Sequence, residues 1–226
     1  MRQRDTRFLI LALFFLNTTL DVAQDKLFTQ AFVHPVDLNA AYAGAIDGRY
    51  RVSIGYRDQW RGIVESPYTT FGLYGNIKIN LKNRSDDFFG GGFSIVSDRT
   101  ALFNVNQNSM SLYGAYHKSL NRDLRQYLSG GVSFSIAQRN LNYEDIYFND
   151  QFNGLDQYSL GTAEILPSNN FAFADIGAGV AYSSGLSEYS SMTFGIAMEH
   201  LPGSSISFYN HSFEQDVPLP DAKMDR

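Results

Sequence analysis

The chain has 226 residues, a formal net charge of -5 and no cysteine. That length suits one all-β domain and needs no second. The charge argues against a clustered basic nucleic-acid face, and the lack of thiols excludes disulfides and thiolate metal sites.

Fourteen Tyr and 18 Phe beside a single Trp, with 19 Gly and 6 Pro, favour strands over disorder. At the N-terminus Arg2, Arg4 and Arg7 precede the apolar run from Phe8 to Leu16. A basic segment followed by a short hydrophobic one is the pattern of a secretory signal. Cleavage after Ala23 assigns residues 1–23 to the signal and 24–226 to one mature domain. Beyond it no run of about 18 apolar residues occurs, which excludes a helical span of the mature chain.

From Gln30 to Gly44 the chain has no period. The His34-Pro35 step, Asn39 and Gly44 suit an irregular lead-in, packed inside or across the strands that come after it. From Arg49 to Tyr56 the alternation is strict, within a first strand of about 49–60. Tyr50, Val52, Ile54 and Tyr56 share one face; Arg49, Arg51, Ser53 and Gly55 share the other, as strand geometry requires. Pro67 breaks the chain before a second strand, 68–80, with Phe71, Leu73, Ile77 and Ile79 on its apolar face. After a charged turn at 83–87 comes a third strand, 89–98, carrying Phe93 and Ile95. Its run Gly90 to Gly92 marks a bend or the close approach of another backbone.

A fourth strand, 108–120, aligns Met110, Leu112 and Tyr116. The fifth, 126–139, is the clearest: Leu128, Val132, Phe134 and Ile136 alternate with Ser129, Ser133, Ser135 and Arg139. A non-periodic stretch, 140–170, comes next, and connections of that length tend to be functional or disordered. The sixth strand, 171–183, and the seventh, 191–200, present Ile176, Val180 and Tyr182, then Phe194, Ile196 and Met198. The remainder reads as a loop and polar tail.

Seven strands of about ten residues, joined by alternately tight and long connections, predict an antiparallel outer-membrane β-barrel. A soluble sandwich would also wet one face, but the pattern recurs behind an export signal. In lipid such a sheet has to close on itself. Seven is odd for a single-chain bacterial barrel, and Lys223 to Arg226 is unsuited to a lipid face. The expectation is therefore a portion of a larger barrel, incomplete at its C-terminal side.

The residues Gln30, Pro35 and Asn39-Ala-Ala-Tyr42-Ala-Gly44 resemble the PorP/SprF family of type IX secretion system membrane proteins. The resemblance continues through Tyr56, Arg57, Asp58, Gln59, Trp60, Arg61 and Gly62, then Pro67 with Thr69 and Thr70. Later come Phe173-Ala-Asp-Ile-Gly-Ala-Gly179 and Gly195-Ile-Ala-Met-Glu-His200-Leu201. It covers about 28 to 201, with Ala40 in place of the usual Pro and Ala197 in place of the usual Ser. The family continues into further strands past Leu219-Pro220. The resemblance implies a non-enzymatic outer-membrane component that exports particular cargo or serves gliding motility. It implies as partners membrane lipid, periplasmic secretion-machinery proteins, an OmpA-like peptidoglycan-binding protein and secreted adhesins. A general porin or hydrophobic-solute transporter would need the same lipid-facing pattern, and a soluble periplasmic β-protein is a third reading.

No catalytic or cofactor constellation emerges from the residues. The four histidines lack metal-ligand spacing, and His34 and His200 suit structural hydrogen bonds. No Gly-x-Ser-x-Gly elbow is present. Asp150 to Asp156 lacks the spacing and distal Glu of a calcium loop and reads as a solvated turn. Trp60 fits an interfacial aromatic girdle with Tyr56 and Tyr68, or it packs the lead-in, with Arg57 and Gln59 satisfying the Asn39 to Gly44 turn. The second arrangement is the expectation. Arg49, Arg51, Arg57 and Arg61 line a lumen or its mouth, or form a solvated face. In the 140–170 stretch Tyr143, Tyr147, Phe148, Phe152 and Tyr158 lie among Glu144, Asp145, Asp150 and Asp156, which suits a protein contact or a lid on the barrel. Tight turns on the periplasmic side would place this loop outside.

Overall fold

Period-two alternation over seven segments buries nothing by itself; it needs neighbours to pair each backbone and a medium to cover the apolar face. In a computed structural model the described residues are 33–64, 67–81, 86–100, 105–121, 125–143, 146–164, 166–187, 190–203 and 208. The signal segment, Gln30 and the polar tail lie outside the described residues. The strands are β1 (Tyr50–Gln59), β2 (Tyr68–Asn80), β3 (Phe88–Thr100), β4 (Val105–Asn121), β5 (Gln126–Leu141), β6 (Asn170–Ser187) and β7 (Ser190–Met198). They form one antiparallel sheet in sequence order, curled into a half-barrel.

One rung of the convex face shows how the pattern is used. Val52, Gly75, Phe93, Leu112, Phe134 and Ile176 follow one another in register from β1 to β6. At Gly75 the Phe93 ring lies where a Cβ would stand, so an aromatic neighbour covers the bare backbone. Val52, Leu112 and Phe134 are exposed. A contiguous apolar surface of this kind is stable against lipid and a liability against water.

Several strands are longer than their apolar alternation. β4 has 17 residues and β6 has 18, where about ten suffice to cross a bilayer. The extension is visible on the convex face at the end that carries the long connections. Ile95, Met110 and Ile136 form the last apolar rung there; the next is Ser97, Asn108 and Gln138, and beyond it Arg99, Asn106 and Asn140. The hydrogen-bonded ladder continues after the hydrocarbon-compatible surface has stopped, so the apolar period under-reports strand length. At two places the backbone ends a strand early: Trp60 has φ 65 and His200 has φ 59, left-handed values that an extended ladder does not accommodate.

The small hydrophobic core lies on the concave side. Val36 and Ala43 of the lead-in pack with Tyr74 and Ala115 of the wall, flanked by Val96 and Tyr113. Among the described residues β1 and β7 each have a sheet neighbour on one side only. No helix among them is long and apolar enough to cross a membrane.

Candidate functional site

The lead-in folds into two single-turn 3-10 segments, Pro35–Asp37 and Ala40–Tyr42. Pro35 supplies the fixed φ and missing donor that suit a first helical position. Asn39 opens the second turn in extended geometry, its Oδ1 accepting from Ala41 N–H at 2.8 Å. Its amide nitrogen donates to the carbonyls of Val180 (3.1 Å) and Ile196 (3.3 Å), which are register partners on β6 and β7. One side chain therefore caps a turn and ties it to two wall strands.

Small residues on both sides let the two backbones touch. Ala40, Ala41 and Ala43 are fully buried. A Cβ on Gly90 would collide with the Ala43 carbonyl, one on Gly131 with Ala40, and one on Gly179 with the Asn39 amide. Gly44 carries φ +72 and abuts Gly90, so it combines a left-handed backbone with a close approach. The expected backbone approach at the Gly90 to Gly92 run is thus made by the lead-in itself.

Polar groups of the wall complete the seam. Nε2 of His117 lies 2.8 Å from the Ala43 carbonyl and Nδ1 lies 2.8 Å from Ser129 Oγ. A carbonyl only accepts, so Nε2 carries the proton and Nδ1 accepts from the Ser129 hydroxyl. Phe88 stacks on the same ring at 4.1 Å. Tyr74 donates to Asp37 Oδ2 at 2.6 Å, and Tyr113 donates to Oδ1 at 3.3 Å. Burial pushes the Asp37 carboxyl above its ordinary value, partly offset by those two phenol hydrogen bonds. His34 stacks on Tyr74 at 3.8 Å and lies 3.3 Å from Ser53 Oγ. Burial holds its pKa below the usual imidazole value.

The expected packing of Trp60 over the lead-in is corrected. Trp60 is 58% exposed at the head of β1, its ring edge-on to Tyr68 at 5.0 Å, while Tyr74 covers the lead-in. Arg57 bonds Thr70 Oγ1 at 3.1 Å and lies 3.9 Å from Asp98. Among the described residues, wall side chains that reach the Asn39 to Gly44 turn include His117 and Asn76, the latter accepting from Gly44 N–H at 3.4 Å. Gln59 and Tyr56 are exposed, Gly62 lies in an open turn and Pro67 is half-buried before β2. Tyr42 sits beside Gly195. His200 donates to Asp175 at 2.8 Å.

None of His117, Asp37, Tyr74 and Tyr113 stands out in the sequence. The only signal is a large polar or aromatic side chain among small residues on an inward face, for example His117 two positions from Ala115.

At the other end of β5 and β6 the long connection has its own organisation. Tyr143 donates to the Pro167 carbonyl at 3.2 Å and closes its base. A bridge pairs Phe152 with Tyr158. Asn153 Oδ1 accepts from the backbone N–H groups of Leu155, Asp156 and Gln157. Asp150 accepts from Thr162 Oγ1 at 3.0 Å and Ala163 N–H at 2.6 Å. Tyr147 and Phe152 each lie against Tyr158, at 5.5 and 5.3 Å between ring centres. The loop thus gathers Tyr147, Phe152 and Tyr158 on open surface, with Tyr143 and Phe148 half-buried.

A family model described as type IX secretion system membrane protein PorP/SprF matches residues 21–220, and the chain belongs to that family. No curated protein and no solved structure matches it. The chain is a membrane component of type IX secretion.

Proposed function

We propose that this PorP/SprF member works in the outer membrane of a Gram-negative bacterium, exported by cleavage of residues 1–23, as a non-enzymatic subunit that acts through protein contacts. The observation that carries the reading is the docked lead-in. A segment bonded to β2, β4, β6 and β7 on the concave wall occupies the space through which a solute would move. A porin or hydrophobic-solute transporter needs that space open, with conductance depending on the inward Arg51 and Arg57.

The two ends of the sheet divide the partners. Periplasmic secretion-machinery proteins and an OmpA-like peptidoglycan-binding protein meet the tight-turn end, and secreted adhesin cargo, including gliding adhesins, meets the long-loop end. The one-sided edges of β1 and β7 cannot stay unpaired in hydrocarbon, so further strands close the barrel.

Deleting the gene for the full-length protein tests the reading: surface display of specific cargo is lost, and intact display refutes it. A tag placed just after Gln24 names the partners by mass spectrometry of mildly solubilised outer membranes. Recovery of the chain alone from a stable barrel favours the transporter.

A further inference from the structure

On the concave side, between the lead-in and the tight-turn end of the sheet, lies a cavity of 230 Å³. Two wall strands supply cations to it and two others supply hydroxyls. Arg51 is the second residue of β1, and Lys78 lies two positions before the end of β2. Across the half-barrel Ser183 and Thr193, register partners on β6 and β7, line the same space. Arg57 and Lys118 have carboxylates within ion-pair distance. Among the described residues neither Arg51 nor Lys78 does, and neither Ser183 nor Thr193 uses its hydroxyl in a hydrogen bond. Nζ of Lys78 instead rests 4.1 Å from the centre of the Phe88 ring, a contact that holds an ammonium without neutralising it. Among the described lining residues Asp47 is the only acid, against the two cations.

We propose that this cavity is a receptor site for a carboxylate of a partner polypeptide, an Asp or Glu side chain presented at the tight-turn end. The proposal rests on the secretion reading and names the chemistry by which a periplasmic partner is held there. A guanidinium and an ammonium are donors only, and with hydroxyls opposite they form a donor set for an oxyanion. The volume sets the size of the guest. Sites for whole small molecules run to about 300–1,000 Å³, so 230 Å³ suits one side chain rather than a cofactor. The concave side also faces away from the apolar rungs that meet lipid, so a lipid headgroup is not the source. Free phosphate shares the oxyanion chemistry, and the test separates it from a polypeptide carboxylate.

The test uses the full-length protein in phosphatidylcholine nanodiscs, with rhodamine-labelled tetraglutamate amide as the probe, tetraglutamine amide as the control and inorganic phosphate as competitor. Arg51→Gln with Lys78→Gln removes both cations. Thr193→Phe keeps them and fills the cavity. Each is expected to weaken tetraglutamate binding at least about tenfold, while both keep the heat-modifiable gel mobility of the folded barrel. Arg99→Gln with Arg125→Gln removes the same charge from positions outside the cavity lining and is expected to leave binding within about twofold. An equal loss in that control means a diffuse field and overturns the site. So does undiminished binding in either cavity variant, absent tetraglutamate binding, or equal binding of tetraglutamine. Phosphate that occupies the site where tetraglutamate does not overturns the polypeptide assignment. Cargo display in the gene deletion is read separately. Intact display with cation-dependent tetraglutamate binding defeats the secretion reading and spares the cavity site; blocked display without such binding does the reverse.

Discussion

Nε2 of His117 donates to the carbonyl oxygen of Ala43 at 2.8 Å, across 74 positions of sequence. The bond joins a fully buried alanine of the lead-in to the fourth strand of the wall. Removing the imidazole leaves that carbonyl buried without its donor, which costs about 1–3 kcal/mol. His117→Ala is expected to lower the urea midpoint of the folded barrel in detergent by a corresponding amount. His117→Gln, which keeps a donor of similar reach, is expected to recover part of it. An unchanged midpoint in His117→Ala would remove the bond from the account of how the lead-in is held.

The close approach at Gly131 offers a test of docking itself. The chain has no native cysteine, so Ala41→Cys is a clean reporter at a position with 0% exposure. It is expected to resist a maleimide in the folded protein. Gly131→Val places side-chain atoms where Ala40 now lies and is expected to make the reporter reactive. Valine is a good strand residue, so this change displaces the lead-in without weakening β5 as a strand. Full labelling of Ala41→Cys while Gly131 is intact would refute the docked arrangement.

Asn39 donates to Val180 and Ile196 on adjacent strands. Asn39→Ala loses both bonds, each worth about 0.5–1.5 kcal/mol. Amide hydrogen exchange is the sensitive readout: protection is expected to fall in β6 and β7 and to hold in β2 and β3. A uniform loss across all strands would mean a global rather than a local role.

The convex face places its membrane boundary between two neighbouring rungs. Leu112→Arg lies within the apolar band and is expected to cost about 2–4 kcal/mol, whereas Asn108→Arg on the polar rung costs about 0–1. Unfolding titrations in phospholipid vesicles compare the two directly. Equal costs would move the boundary.

Burial raises the Asp37 carboxyl, so the docked state holds this proton more tightly than the undocked one. The contribution to stability is present below the ordinary value of 3.8 and is lost as pH rises through the raised value. Asp37→Asn removes this titration and keeps an acceptor for Tyr74. The difference in midpoint between wild type and Asp37→Asn is therefore expected to shift toward the variant as pH rises from the acid side. A difference that is flat with pH would show that Asp37 titrates alike in both states.

Period-two alternation was enough to locate all seven strands, because lipid tolerates one kind of side chain and the wall's interior another, residue by residue. The family motifs were equally legible, since they are local strings. Strand ends were less so: above the apolar rungs both faces of β4 and β5 are polar, as at Asn106, Gln107 and Asn108, and a ladder of backbone bonds leaves no mark in side-chain hydropathy. The lead-in had no period to read, and its destination was decided only in three dimensions. Gly90, Gly131 and Gly179 stand far apart in the chain but form the bare floor on which the lead-in from Asn39 to Ala43 rests. His117, Tyr74 and Tyr113 become its anchors only because strand register sets them beside it. A pattern along one strand reports which medium each face meets; which segment fills the concave side depends on pairings across the whole sheet, and no local stretch encodes those.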